Sequence, residues 1–322
     1  MVTEYSAVER HRAARWKLST PTLPDDARRP APYVGKTGSA SNATYPFCLP
    51  ARYATLSLLP EVRDVALSLF DELGIPWHAG IEGGPSNHLL SSQVQCVNAL
   101  GQMVHDPDRI VRAFNPVVDT VEVLEIEPGR FLTFEYIGDV DYLGEAKDGK
   151  RVRGSHCTSV DAAFLHRTGD GATELVLVEW KYTESYGPRR INTAQDATRW
   201  KRYGEALSDP GGPVRLDLLD FTDLVDEPLY QLVRQQLLAH ALETDRAHGA
   251  DRVRVMHVLP PQNTAHQASL RRDTQLAVGA SVSEVWHRLL RRPDRFMSLD
   301  PAVFLDAEIT SDEYVARYAE AA

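Results

Sequence analysis

The chain has 322 residues, of which 43% are hydrophobic and 25% are charged, and its formal net charge is −10. This size allows one large core or two smaller ones, while the absence of any apolar run near the ~20 residues of a membrane span excludes an integral membrane protein. The start lacks the basic and then apolar pattern of a secretion signal, and the three cysteines are too widely spaced for a zinc pattern, so we expect a cytoplasmic protein with reduced thiols.

The first part of the chain, residues 1–60, is predicted to be irregular because prolines interrupt it repeatedly. Residues 61–73 then show helical spacing and stop at Gly74, a normal end signal. A second helix is expected from Ser91 or Ser92 to Val104, since serine is a favoured N-cap and a valine–leucine stripe follows at steps of three.

Strands are predicted next. Residues 117–126 and 131–137 read as two strands joined at Glu127-Pro128-Gly129-Arg130, a strong turn sequence. They would supply the first strand or strands of the sheet. Two more apolar runs, Ser159–Phe164 and Glu174–Tyr182, flank a Gly169-Asp-Gly171 turn and predict a β-hairpin.

The rest of the chain continues with helices and one strand. Helices are predicted at 193–207 and 228–248, and a closing strand at 252–259. Residues 61–262 would thus form an α/β core. Residues 263–322 are expected to form a helical extension packed on that core, with helices at 281–292 and 311–321.

The hairpin carries the most informative residues. If pairing is symmetric about Asp170, partners have numbers that sum to 340, and Asp161 lies opposite Glu179 on one face. Lys181 joins that face because strand side chains alternate with period two. The other positions would face a core; they are Val160, Ala162, Phe164, Val176, Val178 and Trp180.

Two carboxylates and an ammonium in an apolar hairpin require an explanation, because such groups are seldom buried unless paired or metal-bound. Carboxylate oxygens suit Mg²⁺ or Mn²⁺, which would support phosphodiester hydrolysis, with Lys181 orienting water or neutralising charge in the transition state. The structural alternative is a Glu179–Lys181 ion pair at a hairpin edge, with Asp161 capping a turn. The apolar character of both strand faces favours a central hairpin instead.

Asp161 followed by Glu179-Trp180-Lys181 on the next strand resembles the PD-(D/E)XK, or restriction-endonuclease-like, nuclease superfamily. The resemblance implies a central mixed β-sheet in an α-β-β-β-α-β core and metal-dependent cleavage of nucleic acid. It implies that Asp161 and Glu179 bind the metal, that the Trp180 carbonyl adds a ligand, and that Lys181 is the catalytic lysine. The sequence departs from the motif at Val160, where the motif has proline, a residue that many members also lack.

Four further residues and two supporting ones complete the predicted site. Gln93, on the first core helix, and Glu135, between aromatic residues, are candidates for support of the metal, although each is equally compatible with a solvated position. The net charge of −10 is unusual for a nucleic-acid binder, so a basic surface would have to be local. The expected contacts, which could equally be a solvated helix face, are Arg189, Arg190, Arg199 and Lys201.

Together these patterns predict a Mg²⁺-dependent endonuclease, hydrolysing phosphodiester bonds in DNA, in restriction, repair or defence. The alternative is a nuclease-fold protein that no longer cleaves and binds nucleic acid or a protein partner. Many relatives form homodimers to cut both strands, so a homodimer is implied by the resemblance, although no pattern in the sequence marks a dimer face.

Overall fold

The computed structural model describes residues 3–155, 157–187 and 192–320. Its centre is a mixed six-stranded sheet, and a separate two-stranded sheet lies near the N-terminus. No helix within the described ranges has both the length and the apolar character needed to cross a bilayer.

The small sheet pairs β1 with β2, and the central sheet contains β3 to β8. The strand bounds are β1 Ala31–Val34, β2 Ala40–Tyr45, β3 Thr120–Leu124, β4 Leu132–Tyr136, β5 Val160–Thr168, β6 Thr173–Trp180, β7 Arg252–Val258 and β8 Phe296–Leu299. The central order is β3-β5-β6-β7-β8, with β4 also on β5. β3 and β4 follow one another along the same edge of β5, both antiparallel to it, whereas β6, β7 and β8 are parallel.

Helices cover both faces of the central sheet. Their bounds are α1 Glu4–Ser19, α2 Pro60–Glu72, α3 Ser92–Leu100, α4 Pro107–Phe114, α5 Thr193–Ser208, α6 Phe221–Leu224, α7 Leu229–Asp245, α8 Thr264–Gln267, α9 Asp273–Val278, α10 Val282–Leu289 and α11 Asp312–Tyr318. Ser91 caps α3 by accepting from the Val94 N–H. The helix gives way to a 3₁₀ turn at Gly101, against which Val62 of α2 packs so closely that a Cβ at Gly101 would lie 2.9 Å from Val62.

The side chains of the hairpin point alternately to its two faces and pack into two hydrophobic cores. Ala162, Phe164, Val176 and Val178 belong to a core shared with α1 to α4 and α11. The intervening residues belong to a second core shared with α5, α7 and α10; they are Ala163, Leu165, Leu175 and Leu177. The hairpin is therefore buried on both faces, as its sequence indicated.

The register of the hairpin was predicted correctly. Pairs run from Ala162 with Val178 to Arg167 with Thr173, and every pair sums to 340. The turn before it is also confirmed, since Arg130 N donates to Glu127 O at 2.8 Å and Gly129 adopts φ 72°. The predictions of helices in the ranges now occupied by α2, α3, α5, α7, α10 and α11 are likewise confirmed, with ends that differ by several residues for some of them.

The expectation of an irregular N-terminal segment was wrong for its first third, where α1 spans 16 residues. The buried side of this helix includes Ser6, Glu9 and Lys17 beside Ala13 and Trp16, so it lacks the apolar periodicity that marks a helix in sequence. Polar contacts stabilise it instead, among them the Trp16 indole, which donates to Glu313 on α11 at 2.7 Å.

The expectation of a purely helical C-terminal extension was also wrong, because β8 adds a parallel strand to the central sheet beside β7. β8 has four residues, too few to display alternation. Both terminal segments contribute to the first core, from Ala13 near the start to Tyr318 near the end.

Candidate active site

One row of side chains crosses four adjacent strands at the carboxyl end of β6. Glu179 on β6 is in register with His257 on β7. Asp161 lies one residue beyond the Ala162–Val178 pair, which places it opposite Glu179. Glu135 of β4 lies between residues paired with Ala162 and Val160, beside Asp161. The sheet thus aligns three carboxyl groups and an imidazole.

Asp161 is held against the end of β6. Its Oδ2 accepts a hydrogen bond from the Trp180 backbone N–H at 2.6 Å, while no hydrogen bond reaches its other oxygen from the described residues. Removal from water raises the pKa of Asp161 well above its usual range, and the charges of Glu179 and Glu135 raise it further, against a smaller opposing effect of Lys181. The carboxyl group is therefore placed among like charges.

Glu179 is 2% exposed and is surrounded by donors. Its Oε1 accepts from Lys181 and, at 2.7 Å, from the Gln231 amide, and its Oε2 accepts from the Gln235 amide. Lys181 Nζ also donates to Gln231 Oε1 at 2.8 Å. Burial alone would lower the pKa of Lys181, but Glu179 and neighbouring acids outweigh it and raise that pKa, so the lysine is held as a cation.

Glu135 is the third carboxylate, and its backbone is unusual. It adopts φ 48°, a region that residues other than glycine rarely occupy. Its side chain accepts from Gln93 at 3.0 Å and from Ser159 at 2.8 Å, and Gly154 leaves room for it, since a Cβ there would lie 3.0 Å from Glu135 Cδ. Burial raises the pKa of Glu135, and the charge of Glu179 adds to the effect.

Sequence reasoning missed two of the contacting side chains. Gln231 and Gln235 of α7 both donate to Glu179, and Gln235 is 1% exposed. Their four-residue spacing puts them on one face of the helix, and this is the signal that could have found them. Sequence reasoning also missed His257, whose place beside Glu179 follows only from the parallel pairing of β6 and β7.

The four residues predicted to contact nucleic acid do not form one described surface. Arg189 and Arg190 lie outside the described residues. Arg199 is turned inward: its guanidinium stacks over the Tyr230 ring at 3.9 Å and donates to the Val225 carbonyl at 3.1 Å. Lys201 is exposed on α5, and it forms no ion pair with any residue that the structure describes.

The side-chain chemistry of the site fits a hard divalent cation. Asp161 and Glu179 supply carboxylate oxygens, and a bound cation would offset both the burial and the neighbouring negative charges that raise the pKa of Asp161. Across residues 3–155, 157–187 and 192–320 no preformed group of three or more His, Cys, Asp or Glu side chains surrounds a common point. Water, a backbone carbonyl or substrate oxygens would therefore complete the coordination.

The protein has a mixed β-sheet flanked by helices, with acidic residues and a lysine at the ends of adjacent strands. This arrangement fits the class of restriction-endonuclease-like proteins. A family model described as "Restriction Endonuclease associating with ARP" matches residues 10–320, and the chain belongs to this family. Comparison with curated proteins and with solved structures gave no significant match.

Proposed function

We propose that this protein is a divalent-metal-dependent endonuclease that hydrolyses phosphodiester bonds in DNA, with Asp161, Glu179 and Lys181 as its catalytic residues. One observation carries the proposal: among the residues that the structure describes, three neighbouring carboxyl groups have one buried lysine as their nearest compensating charge. Protein interiors rarely tolerate such a surplus of negative charge, unless a cation joins it.

Asp161 and Glu179 would hold Mg²⁺ or Mn²⁺, and the Trp180 backbone carbonyl between Glu179 and Lys181 would be a further ligand. When bound, the metal supplies Lewis-acid activation of the phosphate and of a water nucleophile. The Gln231 and Gln235 amides keep Glu179 in place, since both donate to its carboxylate. Gln93 and Ser159 do the same for Glu135, which we propose as a supporting group beside Asp161.

Lys181 has the geometry of a group that can serve the substrate. An ammonium has three N–H donors. Two of them are used by Glu179 Oε1 and Gln231 Oε1, which leaves one for a phosphate oxygen or for the attacking water. Its raised pKa keeps the lysine protonated at neutral pH, so it would stabilise negative charge that develops in the transition state.

DNA would approach along the side of α5, where Lys201 offers an exposed cation. Arg189 and Arg190, which precede this helix in the sequence and lie outside the described residues, stay candidate contacts. Arg199 supports this surface from within by its contacts with Tyr230 and Val225. The family description further supports association with the component that it calls ARP. A homodimer able to cut both strands remains part of the proposal.

Nicking of supercoiled plasmid in Mg²⁺ and in Mn²⁺ tests the assignment. We expect Lys181→Ala to remove cleavage while its circular dichroism spectrum stays that of the wild type. Lys36→Ala, at an exposed lysine in another part of the chain, is the matched control and should cleave normally. A folded wild-type protein that binds DNA but cuts it in neither metal would favour the alternative of an inactive nuclease fold.

A further inference from the structure

A cavity of about 570 Å³ lies between α1, α11 and the ends of β7 and β8. Its lining includes Tyr5 and Glu9 of α1, Tyr182 just after β6, and Tyr314 and Tyr318 of α11. None of these residues takes part in the site described above. The cavity is large enough for a small organic molecule or an inserted side chain.

The charge of the lining is strongly one-sided. Among the lining residues that the structure describes, four carboxylates face the cavity, those of Glu4, Glu9, Asp300 and Glu320, against one guanidinium, that of Arg12. Arg12 is already committed, because it pairs with Glu9 at 2.6 Å and lies 3.7 Å from Glu320. Such a lining repels phosphate groups, so the cavity cannot be an extension of a nucleic-acid path.

Aromatic rings and an unused hydroxyl add to the negative character. Tyr314 is 1% exposed and lines the cavity, yet its hydroxyl has no hydrogen-bond partner among the residues that the structure describes. The rings of Tyr314 and Tyr318 lie 4.5 Å apart, and that of Tyr182 lies 6.0 Å from Tyr318. Tyrosine faces attract cations, and tyrosine hydroxyls accept hydrogen bonds from them.

Glu9 shows that the negative charge is poorly compensated. Its side chain is fully buried, with Oε2 accepting from the Tyr182 hydroxyl at 2.6 Å and Oε1 paired with Arg12. Burial still raises the pKa of Glu9 despite these two partners. A second cation in the cavity would add the missing charge.

We propose that this cavity binds an organic cation, a guanidinium or a primary ammonium, held by carboxylates and tyrosine rings. The cation could belong to a free small molecule or to an arginine or lysine side chain of a protein partner, since both present the same group.

The cavity also touches the residues that support the candidate active site. Gln95 lines it and accepts a hydrogen bond from the Trp180 indole at 2.9 Å, while Tyr182 follows Lys181 directly in the chain. Trp180 in turn donates its backbone N–H to Asp161. An occupant would therefore contact the side of β6 that lies behind the carboxylates.

Isothermal titration of the full chain, without metal and without DNA, tests the proposal independently of any nuclease activity. The probes are Nα-acetyl-arginine amide and its neutral isostere, Nα-acetyl-citrulline amide. We expect saturable binding of the arginine probe and binding of the citrulline probe weaker by about tenfold or more, the loss expected when a charge-assisted hydrogen bond becomes neutral.

Exposed lining residues provide variants that should fold normally. Glu4→Gln combined with Asp300→Asn should weaken the arginine probe several-fold, and Ala302→Phe should block it by filling the cavity. Glu61→Gln, an exposed acid on α2, is the control and should bind like the wild type.

Two further arms identify the source of the cation. Tighter binding of agmatine than of the arginine amide assigns the cavity to a free small molecule, whereas tighter binding of an arginine embedded in a short peptide assigns it to a partner's side chain. The proposal is overturned if the arginine and citrulline probes bind equally, or if no cationic probe binds at concentrations up to about 10 mM.

Discussion

Strand β6 buries two glutamates, one near each end, and their surroundings differ. Glu174, near the start, is fully buried and pairs with two arginines, Arg254 at 2.9 Å and Arg252 at 3.5 Å, and the His166 imidazole lies 3.6 Å away. Glu179, near the end, has one lysine and two neutral amides, with two further carboxyl groups beside it. Two glutamates of one strand thus lie in surroundings of opposite net charge.

Under the proposed function, this difference separates the structural role of Glu174 from the catalytic role proposed for Glu179. Around Glu174 the protein itself supplies the compensating cations, so the charge of this carboxylate is balanced in the folded state. Around Glu179 the surplus is negative, and the arrangement is stable only if a cation from outside joins it or if a carboxyl group stays protonated. Burial of a charge is therefore less informative than the sign of what surrounds it.

The largest expected effect is on cleavage. Glu179→Gln should reduce Mg²⁺-dependent plasmid nicking by about 10²–10³-fold or more, because a metal ligand and the partner of Lys181 are lost together. Glu174→Gln should cleave within about threefold of the wild type. The test is the nicking rate of each variant, measured at a temperature where both variants are folded. Equal losses of cleavage in the two variants would contradict the proposed difference between the two ends of β6.

Metal binding should increase the thermal stability of the protein. At a Mg²⁺ or Mn²⁺ concentration of 100 times the dissociation constant, the native state gains about 2.7 kcal/mol, visible as a rise in Tm by differential scanning fluorimetry. Asp161→Asn should lose most of this rise, and Asp71→Asn, at an exposed acid on α2, should keep it. An equal rise in Asp161→Asn would mean that the metal binds elsewhere.

Glu174 should matter for folding. Its replacement by Gln removes the carboxylate that pairs with Arg254 and leaves Arg252 with Asp170 at 2.8 Å, and we expect a loss of about 2 kcal/mol in the free energy of unfolding. Urea denaturation at neutral pH, followed by tryptophan fluorescence, measures it. A Glu174→Gln protein as stable as the wild type would show that the ion pairs there are not structural.

The smallest effect concerns pH without metal. The folded pKa of Asp161 is raised above its unfolded value, so the native state holds the proton more tightly. The stability from this group is fully present below the unfolded pKa and is lost as pH rises through the folded one. In EDTA, Asp161→Asn should therefore be more stable than the wild type at neutral pH and should lose this advantage near pH 4. A gain independent of pH would contradict the assignment.

Local patterns predicted the hairpin well and the surroundings of the site poorly. The turn at Gly169–Gly171 and strict alternation fixed which residues face each other, so the opposition of Asp161 and Glu179 followed from sequence alone. The roles of Gln231 and Gln235 depended on how α7 packs on the sheet, which the apolar stripe of the helix does not reveal. The positive φ of Glu135 leaves no trace in the residue types around it.

The pairing of β6 with β7 has a consequence for the order in which the protein becomes competent. The partners of Glu179 come from positions 231, 235 and 257, all synthesised well after the hairpin itself. A nascent or truncated chain that ends before α7 therefore carries both acids and the lysine but lacks the amides that hold Glu179. Under the proposed function, such fragments should not cleave DNA, and nuclease activity should arise only after α7 has been synthesised.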